Sequence, residues 1–362
     1  MKNSCRRGAL LLLCFLLLTS CVHKTIIDEV QIISVLGFDK TDNGYHGISM
    51  FADYKKSELG DNFLLEADGK RARIILSKMS DASSRPISIA KLKVMIVGER
   101  FAREGINQFS ETICIDPKVS SNVYMVISEA PMIDIFTMIQ ARDPEHLENL
   151  LTQTMENGNF PTGNMHYYLK NYFSKGQDSS LPIIDVGPQQ RVSFSGYGIF
   201  KRDQLKMKIN YVESFLFKLM LGDHIYGVYP ADIMKGGAKK EIVFHCMSGG
   251  LKQKYYAKDH VRYVVRVKGF FQDYPENMFT SDNQMLIQEL EHNLEQQLDK
   301  LVRSFQKAKL DPIGFGNFVR QHQRDWNADT FYEQVYPNMK VDIEVKVDMQ
   351  ETDQSGKNSE GI

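Results

Sequence analysis

Apolar and polar positions along this chain fall into short strand-length stretches and longer ones with a helical repeat. VQIISVLGFD (30–39) and YHGISMFADY (45–54) predict two strands, joined by the turn signal Asp42-Asn43-Gly44. Residues 55–65 predict a loop. Over 66–84 the period lengthens, and Ala72, Ile75, Leu76 and Met79 fall on one face of a helix. KLKVMIVG (91–98) predicts a short apolar strand, ERFAREGINQFSETI (99–113) a helix behind it, and NVYMVISEA (122–130) another strand. Strand, helix and strand in that order predict an α/β lobe. Residues 131–180 predict mainly helix. Asp143 is placed to cap PEHLENLLTQTM, with Pro144 in the first turn, and MHYYLKNYF (165–173) follows. SKGQDSSLP (174–182) has the composition of a linker.

A second region begins near Gln190. QRVSFSGYGIFKRDQLKMKIN (190–210) predicts a hairpin turning at Lys201-Arg202-Asp203, and YVESFLFKLMLG (211–222) predicts a helix ended by Gly222. KEIVFHCMSG (240–249) and HVRYVVRVKGFFQDY (260–274) are rich in β-branched residues and predict strands. The strongest helical pattern comes next. Ile287, Leu290, Leu294, Leu298, Leu301 and Phe305 make one stripe on a helix over 282–309, with Ser281 and Gln284 fitting a capping box. Such a helix is about 40 Å long, enough to cross the face of a sheet. Pro312 ends it, and MKVDIEVKVDMQ (339–350) alternates Val341, Ile343, Val345 and Val347 against charges as a half-exposed strand. Residues 351–362 are polar and predict a disordered tail. The pattern as a whole predicts an α+β (mixed α/β) fold of several domains, with mixed sheets and flanking helices.

The first twenty residues follow a different logic. Lys2, Arg6 and Arg7 form a basic start, Leu10–Leu18 is unbroken apolar sequence, and Thr19 and Ser20 are small. The run is shorter than the roughly 20 residues a membrane span needs, and it has the layout of a cleaved signal peptide. Leu18-Thr19-Ser20-Cys21 resembles the bacterial lipobox, in which cleavage leaves a cysteine whose thiol becomes diacylated. Cys14 competes poorly, because Leu12 and Leu13 precede it and neither is small. Two acyl chains make a stable anchor where one would be marginal. The reading is a lipoprotein signal peptide over 1–20, lipidation at Cys21, and a mature chain held on the outer side of a membrane.

Charge and composition narrow the function. The chain has 44 Lys and Arg against 45 Asp and Glu. Removing residues 1–20 takes away three basic residues and no acidic ones, so 41 against 45 leaves −4. There is no basic excess to hold a phosphate backbone, which argues against nucleic acid as a partner. Beyond Cys21 only Cys114 and Cys246 remain, both flanked by apolar residues. They fit two buried thiols, and an oxidising compartment would also permit a disulfide.

Candidate chemistry is sparse. GYGIFK (196–201) lacks the third glycine of a dinucleotide loop, and KGGAKK (235–240) lacks the spacing and hydroxyl of a phosphate loop. The nine histidines are scattered. His245 and Cys246 are adjacent, but neighbours in a strand face opposite sides. No spacing suits zinc, so no metal or cofactor is expected and no catalytic residue is assigned. Trp326, the single tryptophan, is expected to be buried at a domain edge.

Four stretches in order carry a resemblance. They are KTIIDEVQIISVLGFD (24–39) behind Cys21, RPISIAKLKVMIVGERFAREGI (85–106), VSFSGYGIFKRDQLKMKI (192–209) and FQKAKLDPIGFGNFVRQHQRDW (305–326). Together they resemble the Ger(x)C lipoproteins, the C subunits of spore germinant receptors. Val22-His23 stands where many relatives carry Trp-Asp. The resemblance implies three mixed α/β domains, drawn here at 21–185, 190–258 and 259–350, and no enzymatic activity. It also implies a complex with two polytopic partners, the A and B subunits, on the outer face of the spore inner membrane. A different reading of the same leader is an extracytoplasmic solute-binding lipoprotein of a transporter, which would need a two-lobed cleft with convergent polar groups.

Overall fold

The computed structural model describes residues 30–53, 61–107, 112–113, 116–142, 145–235, 238–273 and 283–350. The leader with Cys21, Cys114, the Asp143-Pro144 cap, Ser281 and the 351–362 tail lie outside them.

The first sheet has nine strands: β1 (Gln31–Thr41), β2 (Gly44–Asp53), β3 (Asp61–Gly69), β4 (Ile87–Ser88), β5 (Val94–Gly98), β6 (Tyr124–Ser128), β7 (Ser180–Gly187), β8 (Arg191–Lys201) and β9 (Gln204–Asn210). Their order is β3-β2-β1-β5-β6-β7-β8-β9, with β4 pairing the start of β1. The centre, β1-β5-β6-β7, is parallel, and both flanks are antiparallel hairpins. Every residue of β5 (VMIVG) is buried, as a strand covered on both faces requires.

Helices α1 (Ala72–Asp81) and α2 (Glu99–Glu104) cover one face of this sheet, inserting Ile75, Met79 and Phe101. Helices α3 (Met132–Gln140) and α4 (His146–Glu156) bury Ile135, Phe136, Leu147 and Leu151 in a second core, which continues into the other half of the molecule. Helix α5 (Met165–Phe173) returns to the first core through Met165 and Tyr168.

Helix α6 (Tyr211–Leu221) follows β9 directly. Asn210 and Glu213 form a complete capping box at its start, and Gly222 ends it at φ 67°, a left-handed conformation that a side chain would resist. The second sheet is β10 (Gly227–Lys235), β11 (Ala238–Ala257), β12 (His260–Asp273) and β13 (Lys340–Met349), in that order. β12 and β13 run parallel. The crossover between them carries α7 (Asn283–Lys307) and α8 (Phe315–Arg320). Leu290, Leu294, Leu298 and Phe305 of α7 are fully buried in the core that the second sheet shares.

Helix α7 also closes the sheet's edges. Glu291 and Glu295 accept the outward N–H groups of Val347 and Val345 on β13, each at 2.9 Å. On the other shoulder, Asn293 donates to the Asp232 carbonyl of β10 at 2.9 Å and accepts from the Tyr229 hydroxyl at 2.7 Å. Backbone groups that would otherwise offer a template for strand addition are occupied along these stretches.

Three sequence expectations change. The helix expected from 66 starts at Ala72, because 61–69 pairs with β2 over its whole length and forms β3. The linker-like 174–182 runs into β7, a buried interior strand. Pro182 lies in it opposite Tyr197 of β8, one residue ahead of Ile183 and Ile184, the two residues that pair with β6. Finally, the 190–210 hairpin joins the first sheet through β7–β8 pairing, and β11 and β12 pair through the turn at 258–259. The change from one sheet to the other falls at α6.

Candidate functional site

The most unusual chemistry in the fold lies where the two sheets meet, in the turn that ends α7. Lys309 adopts φ 54°, Leu310 N–H returns to the Phe305 carbonyl at 2.9 Å, and Asp311 enters the interior with no exposed surface. Its Oδ1 accepts from Gly314 N–H (2.8 Å) and Phe315 N–H (2.9 Å). Its Oδ2 accepts from Gly316 N–H (2.8 Å) and the Tyr332 hydroxyl (2.9 Å). Gly314, at φ 89°, lets successive N–H groups converge on one carboxylate. Gly316 is needed for space: a Cβ there would lie 2.4 Å from the Tyr332 oxygen.

Asp178 faces this turn from the segment leading into β7. Its Oδ2 accepts from Asp311 N–H at 2.7 Å and from Lys201 Nζ at 3.0 Å. Asp178 N–H in turn donates to the Asp311 carbonyl at 2.9 Å. Lys201, at the end of β8, also reaches the Lys309 carbonyl and lies 4.8 Å from the centre of the Tyr332 ring. Burial pushes the Asp311 carboxyl up to about 6, against the opposing pull of its N–H donors. Burial raises Asp178 as well, opposed by Lys201. Around this pair the two halves are stitched further. Asn317 N–H donates to Gly176 (2.8 Å), Ser174 Oγ to Asn317 Oδ1 (2.9 Å), and Gln177 Nε2 to the Pro312 carbonyl (2.9 Å).

A second joint is built on a buried cation. Lys218 of α6 donates to the carbonyls of Met155 (2.8 Å), Gly158 (2.7 Å) and Tyr226 (3.3 Å). Desolvation lowers its pKa to about 8. Beside it, Asn159 and Val228 exchange two hydrogen bonds, and Asp223 accepts Thr162 N–H at 2.9 Å. The loop after α4 is thereby held to both α6 and β10.

These groups suit mechanical connection. Both Asp311 oxygens and the Lys218 ammonium have their hydrogen-bonding capacity taken up by the chain itself. Among the described residues, no three His, Cys, Asp or Glu side chains are grouped to hold a metal ion. A groove of about 700 Å³ runs between α7 and the start of β13, lined by His292, Gln296, Asp299 and Arg303 opposite Lys340 and Asp342.

Of the residues singled out from sequence, Cys21, the lipidation candidate, lies outside the described residues, as does Cys114. Cys246 is a buried free thiol whose pKa burial pushes up to about 11, so it is inert as a nucleophile. His245 bonds the Tyr226 hydroxyl on the opposite face of β11. Trp326 is half-buried, packed against Phe331 with the Arg320 guanidinium 5.8 Å from its ring. Asp178, Lys201, Lys218 and Asp311 stand in no recognisable motif of the sequence. The visible signal was DPIGFG, an aspartate ahead of two glycines after a long helix.

Comparison with known proteins gives the same outline at both ends of the chain. Residues 23–186 match the family described as spore germination protein N-terminal domain, and residues 195–353 match spore germination B3/GerAC like, C-terminal. Spore germination protein GerQC of Bacillus cereus is 26% identical over 355 residues, covering 94% of this chain and 98% of its own length. The putative spore germination protein YfkR of Bacillus subtilis (strain 168) is 21% identical, with 95% of each chain covered. The crystal structure of the GerBC protein shares the fold at a TM-score of 0.56 and 17% identity, over 87% of this chain and 97% of that one.

Proposed function

The chain belongs to the GerAC-like family of spore germination proteins, and from that premise we propose that it is the lipid-anchored C subunit of a nutrient germinant receptor. It works with membrane-embedded A and B subunits at the outer face of the spore inner membrane, without catalysing a reaction itself. The observation that carries this reading is the combination of two family matches spanning nearly the whole chain after residue 22 with a lipobox ending at Cys21.

The anchor is the diacylglyceryl group on Cys21. Among the described residues no helix is long and apolar enough to cross a membrane, so those residues offer no helical alternative to it. The joints around Asp311 and Lys218 support a role as a rigid body that relays or scaffolds, since buried, fully bonded polar networks resist independent motion of the parts they connect. Spores lacking the gene, assayed against a panel of nutrients, test the proposal. It predicts loss of the response to at least one nutrient. An unchanged response to all of them, in a strain with no paralogue, would overturn it.

A further inference from the structure

The outer face of the second sheet carries a charge that the whole chain does not. In β12 the odd-numbered residues Val261, Tyr263, Val265 and Val267 are buried, so the even-numbered ones face outward. Register then sets the outer neighbours: Lys254 opposite Arg262, Lys252 opposite Val264, Gly250 opposite Arg266 and Ser248 opposite Lys268. A bulge at Met247 makes this possible, because it switches the face that β11 presents beyond Cys246. On the other side, Lys340, Asp342, Glu344, Lys346 and Asp348 of β13 complete the surface.

On the stretch of this face formed by β11 beyond Met247, β12 up to Lys268 and β13, seven Lys and Arg stand with three carboxylates, a formal +4 on a chain whose total is −1, while Asp232 and Glu241 lie on the same face towards β10. The carboxylates are all engaged. Asp342 pairs with His260 (2.7 Å) and Lys340 (3.2 Å), Glu344 with Arg262 and Lys346, and Asp348 with Lys268 (3.9 Å). Lys252, Lys254 and Arg266 are exposed, and among the described residues none has a carboxylate within ion-pair distance. Lys254 instead lies 4.9 Å from the ring centre of Tyr256, which is 43% exposed at the bulge next to the hairpin turn.

We propose that this β-sheet face is a docking surface for an anionic phospholipid bilayer, resting on the reading of the chain as a lipid-anchored protein. The cations are spread along about 20 Å of pleated strand, which matches a charged plane better than a single small anion. Each Lys or Arg brought to an anionic bilayer contributes attraction that salt screens, and an exposed tyrosine suits the headgroup region. The face would orient the protein on the membrane, a task distinct from the tethering done by the acyl chains.

Flotation of the unacylated chain from residue 22 onward tests this apart from the anchor. The probes are vesicles of pure phosphatidylcholine and vesicles with ~30 mol% phosphatidylglycerol, at low and at raised salt. Binding is expected only with phosphatidylglycerol and should be lost at raised salt. Lys252→Gln, Lys254→Gln and Arg266→Gln together should weaken it by about 100-fold. A variant carrying Lys93→Gln, Lys118→Gln and Arg142→Gln, cations of the first half, should bind as the parent does. Absence of phosphatidylglycerol-dependent binding by the parent would overturn the proposal and leave an acidic protein surface as the partner for this face. Equal loss in both variants would overturn it as well, by showing attraction without a preferred face. Because the assay contains no Cys21, its failure leaves the anchor reading intact, and loss of the anchor would leave its result readable.

Discussion

At Asp311 a buried carboxylate is held by three N–H groups of its own turn and by the Tyr332 hydroxyl. Its pKa of about 6 lies above the ~3.9 of an unfolded aspartate, so the folded chain binds that proton more tightly. Ionisation of this group therefore works against the fold, and its contribution to stability falls as pH rises from about 4 to about 6, then levels off. Asp311→Asn removes the titration. The unfolding free energy of the wild type minus that of the variant should drop by about 3 kcal/mol across that window, read by urea denaturation at each pH. A flat or rising difference would show that the N–H donors outweigh burial. Lys218 is the complementary case, a cation satisfied only by carbonyls. Lys218→Met should destabilise the chain by about 3 kcal/mol, because three buried carbonyls lose their donor, and chemical denaturation measures the loss.

Element by element, the sequence was most legible where one periodicity ran long. The α7 stripe, the hairpin over 191–210 and the β5 core strand stand close to where periodicity puts them. The stripe's first turn differs in detail: Leu286 is buried, whereas Ile287 is only half-buried. Leu294→Ala should therefore cost about 3 kcal/mol and Ile287→Ala about 1, and comparing the two by thermal denaturation tests the placement of the stripe. β3 is hard to recognise from sequence because its period-two pattern is short and runs straight into the helical pattern from Ala72, so only pairing with β2 decides it. β7 was masked by the Gln, Asp and Ser residues ahead of it and by Pro182. The joint was illegible for a different reason. Asp178 and Asp311 are 133 residues apart and meet only once both sheets exist. Local spacing carries no trace of that meeting beyond the glycines Asp311 requires.

In the whole molecule, the two sheets share one core, and α6 carries the chain from one to the other. Two buried polar joints tie the halves, one on the Asp311 turn and the other on Lys218. A body connected in this way can pass a displacement at one end to the other without an active site. The proposed function needs that body to be held at a membrane, and in this account the holding rests on one atom, the Cys21 sulfur. The most direct measurement is made on spores that carry Cys21→Ala at the native locus, with the protein located by membrane fractionation at raised salt, which releases charge-held protein, and nutrient germination followed in the same spores. The variant is expected to leave the membrane fraction, and the nutrient response to fall sharply. A variant that stays in the membrane fraction and supports full germination would contradict it.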